Sequence, residues 1–241
     1  MAAVQFQDVG STEEASDIGK QITADFPVFD LDELDYIDDA PAIWIKTSDT
    51  ASQYNKKLYY GYNSYLSLPI GWYIDGADAP TAEDLIALGR GFWIVVPKNT
   101  ANYPKENYTV TFNGQVADMT TGISTPVCNN CFIMAGNTFP MPLAFSKIVP
   151  SSGIEALDLD ELDYIDDAPA IWVKTSDIAS QYNKKLYYGY NSYLSLPIGW
   201  YIDGADPATD ADAIPVGNSF WIVIPDGFIT SGNQETFTFN P

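Results

Sequence analysis

A near-perfect internal repeat constrains this chain more than any other feature. Residues 30–78 and 158–206 are identical at 47 of 49 positions, at a fixed offset of 128. The same offset continues without a gap as far as Pro97 and Pro225. A repeat of about 110 residues is as long as a domain and well above the 20–50 residues of a solenoid repeat. The sequence therefore predicts two similar domains.

The repeat also sets the predicted domain boundaries. We assign residues 1–113 to a first β-domain, residues 114–131 to a connection and residues 132–241 to a second β-domain. A chain of 241 residues is long enough for two domains. Its hydrophobic residues, 46% of the total, are sufficient for a core in each.

Each half consists mainly of short segments with the composition and alternation of β-strands, separated by turn residues. About six strands per half are typical of a sandwich or barrel. The apolar run before Pro97 favours a central strand, whereas residues 31–39 and Thr81–Gly89 have the spacing of short helices. We therefore predict an all-β fold with short helices, in two tandem β-sandwich or barrel-like domains. The predicted strands of the first half are Val4–Val9, Ala42–Ser48, Lys57–Asn63, Gly71–Asp75, Gly91–Pro97 and Tyr108–Val116.

Charge and composition exclude several classes of function. A net charge of −21 opposes binding to nucleic acid or to anionic lipid. No apolar stretch is long enough for a transmembrane helix, so no membrane insertion is expected. The chain has no histidine and no nucleophile or phosphate-binding motif, so we expect neither an enzyme nor an organic cofactor. The N-terminus lacks a signal peptide, and an exported protein would then be present here in its mature form.

An acidic segment occurs once in each repeat and raises the question of calcium. Ca²⁺ takes six to eight oxygen ligands, and clustered carboxylates supply them. The spacing is not that of an EF-hand, and a solvated acidic helix face is the competing interpretation. The calcium candidates are Asp30, Asp32, Asp35, Asp38, Asp158, Asp160, Asp163 and Asp166.

The two cysteines form a C-x-x-C pair in the predicted connection. Zinc would need a second pair or histidines, and the chain has neither. Cys128 and Cys131 are therefore either a small structural disulfide or two free thiols.

Tyrosine-rich strands and the N-terminal strand are candidate interfaces. Most aromatic residues are expected in the core, but strand alternation turns some of them outward, where they favour protein contacts or sugar stacking. The N-terminal strand either pairs within its own domain or completes the sheet of a neighbouring copy. The interface candidates are Val4, Phe6, Tyr59, Tyr62, Tyr65, Tyr187, Tyr190 and Tyr193.

The order of four motifs resembles a loose class of bacterial tandem β-repeat proteins. The motifs are GNTFPMP at Gly136–Pro142, GWY, G-x-x-FWI and TFNG. Members of that class are typically exported or surface-associated. The resemblance implies an extracellular, non-enzymatic role.

These observations lead to one main functional hypothesis and two alternatives. The main hypothesis is a structural subunit that assembles with copies of itself into an extracellular or cell-surface filament, sheath or surface layer. Like surfaces on two like domains make head-to-tail contacts that continue into polymers. The first alternative is a carbohydrate-binding module, with calcium assisting and a polysaccharide as partner. The second is a viral capsid or tail protein, which shares the same assembly physics.

Overall fold

The computed structural model describes most of the chain. The described residues are 3–8, 22–46, 56–81, 86, 89–97, 102–103, 108–114, 120, 122–174, 182, 184–229 and 235–241, with backbone alone for 3–8 and 112–114. Within them the protein is all-β, as the sequence predicts, and its only helical elements are short 3₁₀ turns. The predicted helix at Thr81–Gly89 lies largely outside the described residues.

The chain divides into two compact units. The described residues of the first unit lie between 3 and 86 and between 92 and 114, and those of the second lie within 89–91 and 120–241. The strands of the first unit are β1 (Ala3–Asp8), β2 (Ile22–Ala24), β3 (Phe29–Asp30), β4 (Ala42–Ile45), β5 (Lys56–Asn63), β6 (Leu68–Ile74), β7 (Phe92–Val95) and β8 (Thr109–Gly114). Those of the second are β9 (Ile123–Val127), β10 (Cys131–Gly136), β11 (Ile148–Pro150), β12 (Leu157–Asp158), β13 (Ala170–Val173), β14 (Lys184–Asn191), β15 (Leu196–Ile202), β16 (Asp206–Pro207), β17 (Ser219–Ile224) and β18 (Glu235–Phe239).

Each unit contains a larger and a smaller sheet. In the first unit the larger sheet has the order β7-β4-β5-β6, with β3 parallel to one end of β5, and the smaller has the order β1-β8-β2. In the second unit the orders are β10-β17-β13-β14-β15-β16, with β12 beside β14, and β11-β18-β9. Side chains from both sheets meet in the core of the second unit, where Phe237 and Phe239 of the smaller sheet pack with Ile171, Leu186 and Ile222 of the larger. This is the packing of a β-sandwich.

Residues 128 apart hold the same positions in the larger sheets. Tyr59 pairs with Tyr73 across β5 and β6, and Tyr187 pairs with Tyr201 across β14 and β15. The register is interrupted at the same place, after Gly61 and after Gly189. Identical sequence therefore gives an identical local ladder in both units.

Strands β1 and β10 occupy corresponding places in the two halves at the offset of 128, but they pair differently. In the second unit β10 runs antiparallel to β17, whereas β1 runs parallel to β8. Consistent with this difference, the side chains of β17 from Phe220 to Ile224 are buried and those of β7 are half-buried. The prediction of a central strand at Gly91–Pro97 is thus wrong for β7, which is the last strand in its order, whereas the corresponding strand β17 lies between β10 and β13.

Two segments differ from the sequence prediction. Residues 31–39 do not form the expected helix: a turn follows β3, and a single 3₁₀ turn covers Ile37–Asp39. The apolar side chains of this loop pack instead on the outer face of the larger sheet, where Leu31 meets Tyr59 and Tyr73. The predicted connection contains a strand, β9, which pairs with β18.

Candidate interaction surfaces

Two of the acidic side chains hold their own loops in place. The Asp30 carboxylate accepts hydrogen bonds from the backbone N–H of Asp32 at 3.3 Å and from that of Ser64 at 3.0 Å. Hydrogen bonding to Ser64 is the main cause that lowers the pKa of Asp30. Asp158 makes the same contacts in the second unit, to Asp160 and Ser192. These carboxylates therefore connect the acidic loop to the β-hairpin that follows it.

A second acid, Asp38, forms a cluster with a lysine and a tyrosine. Lys57 Nζ lies 2.8 Å from the Asp38 carboxylate and 4.9 Å from the centre of the Trp44 ring. The Tyr59 hydroxyl donates to Asp38 at 2.5 Å. The Lys57 contact, followed by the Tyr59 contact, lowers the pKa of Asp38.

The second unit repeats this cluster with Asp166, Lys185, Tyr187 and Trp172. Asp166 contacts Lys185 at 2.8 Å and accepts a hydrogen bond from Tyr187 at 2.6 Å. Burial, and then the bond to Asp166, raises the pKa of Tyr187. Tyr59 and Tyr187 are each 3% exposed, so these two interface candidates belong to the interior.

Four of the eight calcium candidates have partners within the chain. Asp38 and Asp166 are neutralised by lysine, and Asp30 and Asp158 accept backbone hydrogen bonds. Within the part of the chain that the structure describes, no group of three or more acidic or cysteine side chains is arranged to hold a metal ion. The calcium prediction therefore continues to rest on sequence spacing alone.

The tip of the β5–β6 hairpin presents exposed apolar side chains on a braced turn. The Asn63 side chain accepts the backbone N–H of Leu66 at 2.9 Å and donates to the Gly76 carbonyl at 3.1 Å. Tyr65, between them in the turn, is 80% exposed. Buried Asn191 braces the second hairpin in the same way, and Tyr193 is also 80% exposed. The two tips are therefore preformed rather than loose.

Other exposed apolar residues accompany each tip. In the first unit they lie in the acidic loop, in the hairpin turn and on the outer part of β6, and in the second unit the same positions are exposed. Tyr62 is exposed, whereas its counterpart Tyr190 is half-buried. We call this set the repeated apolar surface; it consists of Tyr36, Tyr65, Leu66 and Ile70 with their counterparts Tyr164, Tyr193, Leu194 and Ile198.

The N-terminal candidates lie in β1, which pairs with β8 of the same chain. The backbones of Val4 and Phe6 are opposite Val110 and Phe112. The side chains of Val4 and Phe6 lie outside the described residues. In this structure the strand thus completes a sheet of its own chain.

An apolar groove of about 430 Å³ opens on the second unit, beside its hairpin. Its walls include Phe145, Pro150, Tyr188, Ile198 and Trp200. The Trp200 indole N–H donates to the Ile148 carbonyl at 3.0 Å and so fixes β15 against β11. The groove is lined by β11 of the smaller sheet and by β14 and β15 of the larger one, and no linear motif marks it.

The Cys128 and Cys131 side chains form a disulfide at the turn between β9 and β10. The adjacent Asn129 side chain exchanges hydrogen bonds with the backbone of Ile229, at 2.8 Å and 2.7 Å. Of the two states that the sequence leaves open, the structure therefore has the disulfide. The turn is held covalently and by two hydrogen bonds.

Comparisons with models of known protein families, with curated proteins and with solved structures give no match. Among the described residues, no helix is long and apolar enough to cross a membrane.

Proposed function

We propose that the protein is a structural subunit that assembles with copies of itself into an extracellular filament, sheath or surface layer. The observation that carries this proposal is the repeated apolar surface. The same large apolar side chains are exposed at equivalent positions of both units, and tyrosine is enriched at protein interfaces.

The distribution of identity between the repeats supports a binding role for that surface. Residues 30–78 and 158–206 are identical at 47 of 49 positions. The segments that follow them, residues 79–97 and 207–225, are identical at only 9 of 19. One of the two differences in the long block is the buried pair Ile45 and Val173, and the other lies outside the described residues. Every exposed side chain that the structure describes in this block is therefore the same in both units.

The fold alone does not require this surface identity. Exposed substitutions usually change stability by less than about 0.5 kcal/mol, so exposed positions are free to differ between two copies of a domain. Identical exposed tyrosines and aliphatic residues are instead what two equivalent binding surfaces require. A chain with two such surfaces can bind two neighbours, which is the condition for a polymer.

The disulfide supports an extracellular or cell-surface location. Disulfides form and persist in oxidising compartments and are rare in the cytosol. The Cys128–Cys131 bond fits the first environment. Mass measurement of the protein from its native source, with and without alkylation, tests this point: two alkylated thiols would contradict it.

A carbohydrate-binding module is the second candidate. The observation that favours it is the pair of 80%-exposed tyrosines, Tyr65 and Tyr193, each beside exposed serine hydroxyls in its hairpin turn. An aromatic face with nearby hydroxyl groups can stack on a sugar ring and hydrogen-bond to it. We rank it second because the aliphatic part of the repeated apolar surface has no role in sugar binding.

Light scattering after size exclusion, together with negative-stain microscopy, tests the proposal. We expect the wild-type protein to form filaments or sheets at high concentration. The variant Tyr65→Ser with Tyr193→Ser should assemble much less. Met141→Ser, which changes an exposed apolar residue outside the repeated block, is the matched control and should assemble as the wild type does.

The contrary result is equally clear. A wild-type protein that stays monomeric at every concentration would overturn the assembly proposal. If that monomer is also retained on a polysaccharide column, and Tyr65→Ser with Tyr193→Ser is not retained, the second candidate replaces the first.

A further inference from the structure

The β5–β6 hairpin and the β14–β15 hairpin are uncharged segments of a strongly acidic chain. Residues 58–74 contain no acidic or basic side chain, and neither do residues 186–202. The Asp30 carboxylate, which contacts the turn of the first hairpin, accepts a hydrogen bond from the Ser64 backbone there. A chain with a net charge of −21 thus presents one uncharged hairpin in each unit.

The missing charge bears on which partner fits these hairpins. Copies of an acidic chain repel one another, and burying a carboxylate that has no counter-charge is costly. Close contact between two copies is therefore least opposed where both surfaces are uncharged and apolar. A basic partner would instead be attracted to the acidic loops, so the hairpins fit a second copy of this chain better.

The two hairpin tips are equivalent in sequence and in exposure. Residues 63–67 and 191–195, which we call the first and the second tip, have the same sequence. Tyr65 and Tyr193 are each 80% exposed, and the leucine that follows each is 47% exposed in the first tip and 48% in the second. A surface that binds one tip therefore binds the other equally well.

Both tips are also held in shape before any partner arrives. The Ser67 N–H donates to the Ser64 carbonyl at 3.2 Å, and the Ser195 N–H donates to the Ser192 carbonyl at the same distance. These bonds add to the side-chain brace within each turn. Little conformational entropy would therefore be lost when a tip binds.

We propose that the hairpin tips bind one another, with the tyrosine and leucine of a tip on one copy packed against the same two residues of a tip on a second copy. This inference rests on the proposed function, for which it names the contact. A contact between like surfaces is complete with two partners, so a chain with a single tip would stop at a dimer. A chain with two equivalent tips binds two neighbours and continues into a polymer.

Variants with one altered tip, followed by analytical ultracentrifugation at high protein concentration, test the contact. Tyr65→Asp places a carboxylate in the first tip and leaves the second unchanged, and Tyr193→Asp does the reverse. We expect each single variant to stop at dimers and the variant with both changes to be monomeric. Tyr65→Asp mixed with the wild type should cap the polymer ends and shorten the polymers.

A charge pair between the tips tests whether they touch directly. Tyr65→Asp combined with Tyr193→Lys gives every chain one acidic and one basic tip, and these attract each other between copies. We expect this variant to polymerise at a concentration at least about tenfold lower than the variant with aspartate in both tips.

Met141→Asp is the matched control for the single variants. It places the same charge at an exposed apolar residue outside the two hairpins, so it should polymerise as the wild type does. Circular dichroism and thermal melts of each variant separate a lost contact from a lost fold.

The outcomes separate this inference from the proposed function. If the wild type assembles and a single-tip variant is monomeric, each tip binds a different surface, and the contact between tips is wrong while the assembly proposal stands. The same holds if a single-tip variant polymerises as the wild type does, or if the acidic and basic pair gains nothing over two acidic tips. If the wild type never assembles beyond a dimer, the proposed function itself fails, and this inference fails with it.

Discussion

Buried tryptophans tie the two sheets of each unit together through single hydrogen bonds. Trp72 donates to the Ile22 carbonyl at 3.1 Å in the first unit, and Trp200 donates to the Ile148 carbonyl at 3.0 Å in the second. Both indoles are almost fully buried. Losing a buried hydrogen-bond donor costs about 1–3 kcal/mol, and the smaller ring leaves a void as well.

We therefore expect Trp200→Phe to lower the free energy of unfolding of the second unit by about 2–4 kcal/mol. Trp72→Phe should have the same effect on the first unit, because the contact is the same. Urea denaturation followed by circular dichroism measures both. Tyr65→Phe, a change to an exposed ring, is the control, and a loss no larger than that of the control would contradict the prediction.

An ion pair in the second unit gives a pH-dependent contribution to stability. Lys184 contacts Asp212, and together with the Thr209 backbone it lowers the pKa of Asp212 from 3.8 to about 2. Because the pKa is lower in the folded state, this contribution is present above pH 3.8 and is lost as the pH falls through about 2.

Asp212→Asn should therefore lower the free energy of unfolding by about 1 kcal/mol at pH 7. The difference between the variant and the wild type should disappear near pH 2, where the wild-type carboxylate becomes protonated. Asp210→Asn removes a neighbouring exposed acid and should change nothing at either pH. An Asp212→Asn deficit that persists at pH 2 would show that the carboxylate charge is not its cause.

At the scale of elements, alternation in the sequence predicts the strands well and the loops poorly. The predicted strand Lys57–Asn63 is β5 with one added residue, and the predicted strand Gly71–Asp75 falls largely within β6. In residues 31–39 the same reasoning fails. Apolar residues spaced by three to four suggest a helix, but the Asp30 side chain caps a turn, and Leu31 and Ile37 pack on the sheet instead.

What the sequence could not predict depends on contacts between distant segments. The groove needs β11 and β15 side by side, and they are joined by the bond between Trp200 and Ile148. Strands β1 and β10 pair differently, and their sequences are no longer similar. The offset of 128 between the repeats therefore could not predict how either strand pairs. Strand β9 contains Pro126, a residue typical of an edge strand, and is short enough to be taken for a connection.

Glycine at position 61 allows β3 to lie against β5. A Cβ atom added there would be 2.5 Å from the Phe29 carbonyl oxygen and 2.7 Å from Leu31. The Phe29 backbone and the buried Leu31 side chain cannot both move aside to make room for the added methyl group. In the facing strand, a Cβ at Gly71 would be 3.5 Å or more from Tyr73, which is ordinary contact.

We expect Gly61→Ala to detach β3 and to lower the free energy of unfolding of the first unit by about 2–3 kcal/mol, the cost of overpacking. Gly71→Ala, which adds the same methyl group to the opposite strand, should cost less than about 1 kcal/mol. Thermal and urea melts compare the two. Equal effects would show that the glycines matter through the unfolded chain and not through the packing of β3.

At the scale of the whole molecule, charge and apolar surface act in opposite directions. The net charge of −21 repels neighbouring copies at long range, whereas exposed apolar side chains attract at contact. Three of the lysines, Lys57, Lys184 and Lys185, form ion pairs with aspartates of the same chain. Assembly is therefore expected to depend on how strongly the solution screens the charge.

Raising the salt concentration should promote assembly. The screening length shortens from about 30 Å at 0.01 M salt to about 10 Å at 0.1 M, so repulsion between whole subunits falls while apolar contacts are unaffected. We expect the protein concentration needed for assembly, measured by light scattering, to decrease as sodium chloride is raised from about 0.01 M to about 0.1 M. A concentration that rises with salt would mean that ion pairs, and not the apolar surfaces, hold the copies together.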